Sequence, residues 1–217
     1  MLARRLNLTR TPFGTYFRAT WTSPFNVTGL DPVRFVGGTR ALSSSIYNLY
    51  ARTTASDTAK DTVRDIIRDT GVGDGVGAGA GAGAGAGVGA RGPASNGQNN
   101  DEAGFPLHRL QSDEAWNYYA GDGDIVLYEF DLASGAVRTI HVGVAGAASV
   151  PQYTVPGLTW VGALLDTGAS WALTGSANTP AFDARDSEMA ADNATFVEDL
   201  YRRFPTHHDL LRRLLGF

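Results

Sequence analysis

The residues whose side chains are best suited to catalysis or to metal binding lie close together in positions 107–121, which read LHRLQSDEAWNYYAG. An imidazole titrates near neutral pH, so His108 could act as a general base or could ligate a metal ion. Glu114 could share such a metal or orient the ring of His108. The structural alternatives are a buried histidine that bonds a neighbouring strand and a surface carboxylate in a turn. The sequence leaves both pairs of roles open.

A second candidate is Arg18, which stands among aromatic residues in an early strand-like segment. A guanidinium group can hold a carboxylate or a phosphate through two parallel hydrogen bonds. The structural alternative is an ion pair with Glu114 or Asp113 at the rim of a barrel.

Aromatic side chains could form the walls of a binding site, because their flat apolar faces stack on sugars and on rings. The alternative role is ordinary core packing, which we expect for at least two of the four candidates. These candidates are Tyr16, Trp116, Tyr119 and Trp160. For His141, His207 and His208 we expect surface positions, and the Asp-Thr-Gly at 166–168 is interpreted as a hairpin turn.

Composition excludes several classes of protein. The 217 residues contain no cysteine, which excludes a disulfide scaffold, a thiolate metal site and a cysteine nucleophile. The formal net charge is −4, which gives no electrostatic case for a nucleic-acid partner or an acidic membrane surface. No apolar run approaches the roughly 18 residues that span a bilayer.

The elements that must position these residues are mostly strands. Turn residues separate the segments at intervals of about ten positions, which is typical of an all-β sandwich or barrel. The end of the chain reverts to two helices, at 194–204 and 208–215, with Pro205 between them. The strand-like segments are 15–21, 45–50, 115–120, 124–130, 137–142, 152–155, 159–165 and 171–176.

Residues 52–104 differ in composition from the rest of the chain. Positions 53–70 predict a marginal surface helix, and positions 71–92 alternate glycine with alanine or valine. A single copy of such a segment cannot bury enough surface to offset its chain entropy, so we interpret it as a flexible linker that continues to Gly104. The expected organisation is one barrel domain formed by 1–51 and 105–217, interrupted by an inserted helix and a low-complexity Gly-Ala linker.

The order of several sequence words resembles one branch of the cupin superfamily, the small-cupin family catalogued as a domain of unknown function and sometimes labelled as predicted sugar epimerases. The words are TPFGTYFRAT near the start, LHRLQSDEAWNYYAG, VPGLTWVGALLDTGASWALTG and the final FPTHHDLLRRL. The resemblance covers nearly everything outside 52–104. It implies a double-stranded β-helix, a jelly-roll barrel with C-terminal helices, a small-molecule ligand in the mouth of the barrel, and a homodimer.

Within this resemblance, the word around His108 is similar to the family's H-R-x-x-S-D-E-x-W-H-x-x-x-G. Asn117 stands where the family usually has a histidine, and amides are poor ligands for Fe, Mn, Ni or Zn. The first word lacks further polar groups of the family, with Thr11, Phe13 and Ala19 in their places, and Val161 replaces an amide. His108 and Glu114 remain the candidate ligands of a divalent metal.

Three functions follow as hypotheses. The first is binding of a small molecule, with a carbohydrate as one candidate ligand. The candidate contacts are Tyr16, Arg18, Glu114, Asn117 and Trp160. The second is a metal-independent isomerase or epimerase, with His108 as base and, by analogy with related jelly-roll epimerases, Tyr119 as acid. The third is a metal-dependent enzyme that uses His108 and Glu114. We expect a cytoplasmic location, with a mitochondrial one as the alternative because arginines precede the first acidic residue.

Overall fold

The protein is built from two six-stranded sheets that face each other, together with a small two-stranded hairpin. The structure is a computed structural model and describes residues 2–11, 13–52 and 103–216. The first sheet has the order β1-β2-β5-β13-β7-β11, the second has the order β10-β9-β8-β12-β6-β14, and β3 pairs with β4. The strands are β1 Thr9–Arg10, β2 Tyr16–Thr22, β3 Asn26–Thr28, β4 Thr39–Ala41, β5 Ser44–Ala51, β6 Gly104–Leu110, β7 Asp113–Gly121, β8 Ile125–Asp131, β9 Ala136–Val142, β10 Ser149–Val150, β11 Gln152–Val155, β12 Trp160–Leu165, β13 Trp171–Thr179 and β14 Ser187–Met189.

The alternation of side chains in β8 shows how the second sheet is buried on both faces. Ile125 and Leu127 pack in the core between the sheets, whereas Phe130 packs on the opposite face against the C-terminal helices. A strand with apolar residues on both faces requires cover on both sides. The first sheet supplies one cover and the helices supply the other, so the sequence DIVLYEF is apolar almost throughout.

The helices that cover the second sheet are α2, Ala194–Arg203, and α3, His208–Leu215. The side chain of Asn193 caps α2 by accepting a hydrogen bond from the backbone N–H of Phe196 at 3.1 Å. Leu214 of α3 lies so close to Gly162 of β12 that a Cβ there would meet its methyl groups at 2.7 Å. Glycine at this position therefore allows the helix to sit directly on the sheet.

The outer face of the first sheet carries a separate apolar cluster. Leu49 and Trp171 from the sheet pack with Leu2 and Ala3 of the short helix α1, Leu2–Arg5. Two 3-10 turns, Ala184–Asp186 and Ala190–Asp192, flank β14 and lead into α2.

The fold class expected from the sequence is confirmed: the chain is an all-β jelly-roll barrel with C-terminal helices. No helix among the described residues is long and apolar enough to cross a membrane. The predicted helix at 53–70 and the Gly-Ala linker lie outside the described residues. Ala103 and Gly104, which the sequence assigned to the linker, belong to the barrel, because Ala103 is buried and Gly104 begins β6.

Candidate functional site

The inner face of the first sheet carries a row of polar and aromatic side chains. Glu114 and Trp116 lie on β7, and Trp116 is the register partner of Ser176 on β13. Thr174 lies two positions before Ser176 on β13 and therefore points to the same face as Ser176. Tyr50 of β5 joins Trp116 in the core between the sheets. All five side chains are buried.

His108 enters the same interior from the second sheet. It pairs with Val161 of β12, next to an irregularity in the β6–β12 ladder, and it is 4% exposed. Its Nδ1 lies 2.9 Å from the carbonyl oxygen of Pro106. A carbonyl only accepts, so Nδ1 carries the proton in the neutral ring and Nε2 presents a lone pair. The ring of Phe105 packs edge-on against the imidazole, with a centroid separation of 4.8 Å.

Glu114 meets His108 across the interior. Its Oε2 accepts a hydrogen bond from the indole Nε1 of Trp116 at 2.9 Å and lies 4.0 Å from Nε2 of His108. This second distance is too long for a hydrogen bond. Among the described residues, Trp116 therefore makes the one hydrogen bond that the carboxylate receives.

Three hydroxyl groups beside this pair have no hydrogen-bond partner among the described residues: those of Tyr50, Thr174 and Ser176. Burial, together with the nearby charge of Glu114, holds the pKa of Tyr50 well above its ordinary value. The phenol therefore stays protonated and can donate. Buried polar groups in folded proteins are nearly always hydrogen-bonded, so these groups mark a wall suited to a polar ligand.

A second buried carboxylate, Glu129, lies in the same layer of the barrel. Val161 pairs with His108 on one side and with Glu129 on the other, which places the two backbones roughly 10 Å apart. Glu129 accepts hydrogen bonds from the Tyr153 hydroxyl at 3.0 Å and from Nε of Arg138 at 2.9 Å. Burial raises the pKa of Glu129 against the opposing effect of Arg138.

The sequence predictions did not identify Glu129, Tyr50, Thr174, Ser176 or Tyr153 as site residues. A usable signal existed for Glu129, because it is the one charged side chain on the inward-facing positions of an otherwise apolar strand. For the hydroxyl residues no local signal existed, since serine, threonine and tyrosine occur on either face of many strands.

Three predicted site residues, Tyr16, Arg18 and Asn117, lie on the outer face of the first sheet, away from His108. Arg18, Tyr47, Gly175 and Asn117 form one cross-strand row, opposite in direction to Trp116. Arg18 lies over the ring of Tyr47 at 5.7 Å, and Asn117 accepts a hydrogen bond from the side chain of Gln152 at 2.7 Å. Tyr16 packs with the cluster under α1.

Tyr119 also lies on this outer face and is 52% exposed. An irregularity in the β7–β13 register beside it turns its ring towards Tyr47, at a centroid distance of 5.7 Å. The ring rests on Gly175, where any Cβ would collide with the Tyr119 hydroxyl. The structure therefore does not bring Tyr119 and His108 together. The tyrosines that pack in the core between the sheets are Tyr50, Tyr118 and Tyr153, and of these Tyr50 is fully buried.

Trp160 lies on the outer face of the second sheet. Its ring packs against Phe196 of α2 at 4.5 Å, and Arg109 covers it at 5.1 Å. It belongs to the core beneath the C-terminal helices. The candidate set from the sequence therefore has two parts. His108, Glu114 and Trp116 lie inside the barrel, and the residues outside it are Tyr16, Arg18, Asn117, Tyr119 and Trp160.

A metal ion bound by the protein needs about three or four side chains that coordinate it directly. The described residues contain no group of three or more histidine, aspartate or glutamate side chains placed to hold one. His108 and Glu114 supply two donors, and Asn117, at the position of the third expected ligand, faces outward. The described residues do not by themselves complete a metal site.

Comparison with known proteins agrees with this architecture. The model of the Cupin_5 family, described as cupin superfamily (DUF985), matches residues 100–190. A protein from Shewanella oneidensis and a hypothetical protein from Leishmania major have similar structures, each with a TM-score of 0.60 and 20% sequence identity. The alignments cover 98% of this chain and 94% and 95% of the two relatives. No curated protein matches the chain.

The family match spans the strands from β6 to β14, which include His108 and Glu114. The two solved structures share the fold across nearly the whole chain. Residues 100–190 therefore resemble the cupin-superfamily family catalogued as a domain of unknown function, and the two solved structures share the fold of the chain.

Proposed function

We propose that this cupin-superfamily domain binds a small hydroxyl-bearing molecule between its two sheets, in contact with His108 and Glu114. The observation that carries the proposal is the 4.0 Å separation between Nε2 of His108 and Oε2 of Glu114. When Nδ1 of His108 donates to Pro106, Nε2 is an acceptor, and a carboxylate oxygen is an acceptor as well. Two buried acceptors that face each other require a donor between them.

A ligand hydroxyl is such a donor, but its single proton goes to one of the two atoms, so two neighbouring hydroxyls of one ligand would serve both acceptors. They would also reduce the desolvation cost of a buried carboxylate that receives a single bond from Trp116. The hydroxyls of Tyr50, Thr174 and Ser176 can each donate and accept, so they match further ligand hydroxyls. The buried negative charge of Glu114 disfavours a carboxylate or phosphate at this point. These features support a neutral ligand with several hydroxyls, of the kind found in carbohydrates.

The indole N–H of Trp116 is a direct reporter for this site, because it bonds Glu114. We would record ¹H–¹⁵N spectra during titration with neutral monosaccharides, sugar nucleotides and small carboxylates, and assign the indole signal with Trp116→Phe. The expected result is a saturable shift of the Trp116 signal with a neutral polyol. The proposal would be contradicted if small carboxylates shifted the Trp116 signal and none of the neutral polyols did.

Matched variants separate the site from the rest of the molecule. Glu114→Gln keeps the shape of the side chain but removes its charge, and we expect it to weaken binding at least tenfold. His141→Gln is the control for His108→Gln, since His141 lies 3.4 Å from Asp124 and is partly exposed. Binding that is equally sensitive to both histidine variants would argue against the interior site.

A second candidate function is proton transfer at a carbon next to a carbonyl, supported by the free Nε2 of His108. His108 would take the proton, and the protonated hydroxyl of Tyr50 is the candidate donor on the same side of the sheet. This chemistry predicts exchange of a C–H hydrogen for deuterium when a hydroxycarbonyl sugar is incubated with the protein in D₂O. Exchange that persists in His108→Gln would remove His108 from the role of base.

A further inference from the structure

We propose that a cleft beside the β8–β9 hairpin is a second binding site, for a small ring-bearing anion such as an aryl phosphate or aryl carboxylate. The cleft has a volume of about 750 Å³, which is within the usual range for small-molecule sites. Its walls include Arg109, Arg138, Thr159, Trp160 and Leu158, with Glu129 in its lining. Neither His108 nor Glu114 lines it.

The acidic groups of the cleft are already satisfied by the protein. Glu129 accepts bonds from Arg138 and from the hydroxyl of Tyr153. Asp131 accepts bonds from the Ser134 hydroxyl at 2.5 Å and from the backbone N–H of Ala133 at 2.9 Å. Because both carboxylates already accept hydrogen bonds from the protein, they are weak sites for a ligand that donates hydrogen bonds.

The groups that remain available in the cleft are donors. The side chain of Arg109 is 32% exposed, and neither its Nη1 nor its buried Nε has a hydrogen-bond partner among the described residues. The bonds of Arg109 to Glu188, at 2.9 and 3.0 Å, both come from Nη2. Arg138 bonds Glu129 through Nε and Nη2, and neither its Nη1 nor the hydroxyl of Thr159 has a hydrogen bond within the described residues. A ligand that accepts hydrogen bonds and carries negative charge complements this arrangement.

The geometry around Arg109 explains why the anion should carry a ring. Trp160 lies 5.1 Å from the guanidinium carbon of Arg109 and thereby fixes the guanidinium group in the wall of the cleft. A fixed guanidinium can bind an anion at its edge and stack a ring on its face. The side chains of Phe130 and Leu158 add apolar surface to the same cleft.

The test uses phenyl phosphate and benzoate as probes, benzyl alcohol as the neutral analogue, and the whole chain. We expect a saturable shift of the Trp160 indole signal with the anions, and binding at least tenfold weaker with benzyl alcohol. Arg109→Met should weaken anion binding at least tenfold. Arg185→Met is the matched control, because Arg185 bonds Asp183 away from the cleft, and it should leave binding unchanged.

The proposal of the second site can be tested independently of the proposed interior site at His108 and Glu114. Glu114→Gln should leave phenyl phosphate binding unchanged, whatever it does to binding in the interior. Loss of phenyl phosphate binding in Glu114→Gln would place the anion between the sheets and overturn the proposal. The absence of saturable binding, or equal binding by wild type and Arg109→Met, would also overturn it.

Discussion

Arg52 and Ala103, the residues on either side of positions 53–102, both bond the backbone of Leu165. Nη2 of Arg52 donates to the Leu165 carbonyl at 3.2 Å, and the Leu165 N–H donates to the carbonyl of Ala103 at 2.8 Å. Arg52 also donates to the carbonyls of Asp166 and Ala169. The end of β5 and the start of β6 are therefore fixed side by side at the β12–β13 turn. We propose that residues 53–102 are an insertion into a barrel that is complete without them.

This proposal predicts that residues 53–102 can be replaced by about six Gly and Ser residues without loss of the fold. Shortening a closed loop from 50 to six residues is about three halvings, which would stabilise the barrel by roughly 2 kcal/mol if the insertion makes no contacts of its own. The melting temperature should therefore stay the same or rise. A fall of more than 10 °C would show that the insertion packs against the barrel.

The hydroxyls of Tyr50 and Tyr153 contribute differently to the free energy of unfolding, although both tyrosines face the interior. Tyr50→Phe removes a buried hydroxyl that has no partner among the described residues, so the free energy of unfolding should stay the same or rise by about 1 kcal/mol. Tyr153→Phe removes a donor to the Glu129 carboxylate and should cost about 2 kcal/mol. Urea denaturation measures both. Equal losses in the two variants would mean that the Tyr50 hydroxyl has a partner in solution.

The barrel and its helices could be predicted because their signals are local. Alternation in β8, the turn residues between strands and the leucine spacing in α3 are all read within about ten residues. The site could be predicted only in part. His108 and Glu114 were found because they stand in one short word, whereas Tyr50 and Ser176 reach the site from strands distant in sequence.

The direction of the side chains explains the remaining failures. Tyr119 stands five positions after Glu114, and this odd spacing places it on the face opposite Glu114, where the structure has it. Its pairing with His108 rested on an analogy with related jelly-roll epimerases and not on the alternation of β7. Trp160 resembled a pocket aromatic because the sequence does not show that α2 covers that face of the second sheet.

Arg40 and Asp186 form a buried ion pair that joins β4 to the turn before β14. Nε and Nη2 of Arg40 donate to the two carboxylate oxygens of Asp186 at 2.6 Å each, and both side chains are almost fully buried. Arg40→Met should destabilise the protein by about 3–5 kcal/mol, because it leaves a buried carboxylate without its counter-charge. Arg40→Met with Asp186→Leu should recover much of that loss. A double variant as unstable as the single one would contradict this explanation.

The same pair helps to set the geometry of the candidate site. The carbonyl of Asp186 accepts the N–H of Gln111 at 2.9 Å, and the side chain of Arg34 donates to the carbonyl of Gln111. Gln111 lies three residues after His108 and three before Glu114, in the turn that joins their strands. We expect Arg34→Met to shift the Trp116 indole signal while the melting temperature falls by only a few degrees. An unchanged indole signal would show that the turn keeps its geometry without Arg34.

We propose that the protein is a homodimer, as the family resemblance implies, which pairs through exposed apolar side chains near the end of β2 and around the β3–β4 hairpin. Trp21 is 52% exposed, Phe25 72% and Leu42 48%. Monomeric proteins rarely expose contiguous apolar patches of this kind without a partner. We expect light scattering to give twice the chain mass, and Phe25→Asp to give a monomer. A monomeric wild-type protein at micromolar concentration would remove the proposal.

Asp183 should make the stability of the protein depend on pH in acid. Hydrogen bonds from Arg185, with a smaller contribution from the charge of Arg40, lower the pKa of Asp183 from 3.8 to about 2. Because the folded-state pKa is lower than that of the unfolded chain, the carboxylate stabilises the fold above pH 3.8, and this contribution is lost as the pH falls from 3.8 to about 2. Solvent screening limits the contribution to roughly 1 kcal/mol. Asp183→Asn should therefore flatten the acid limb of the stability curve measured by urea denaturation.

The control is Asp209→Asn, which removes an exposed ion pair with Arg212 and should keep the wild-type dependence of stability on pH. An equal change in both variants would show that this dependence comes from the net charge of the protein and not from Asp183.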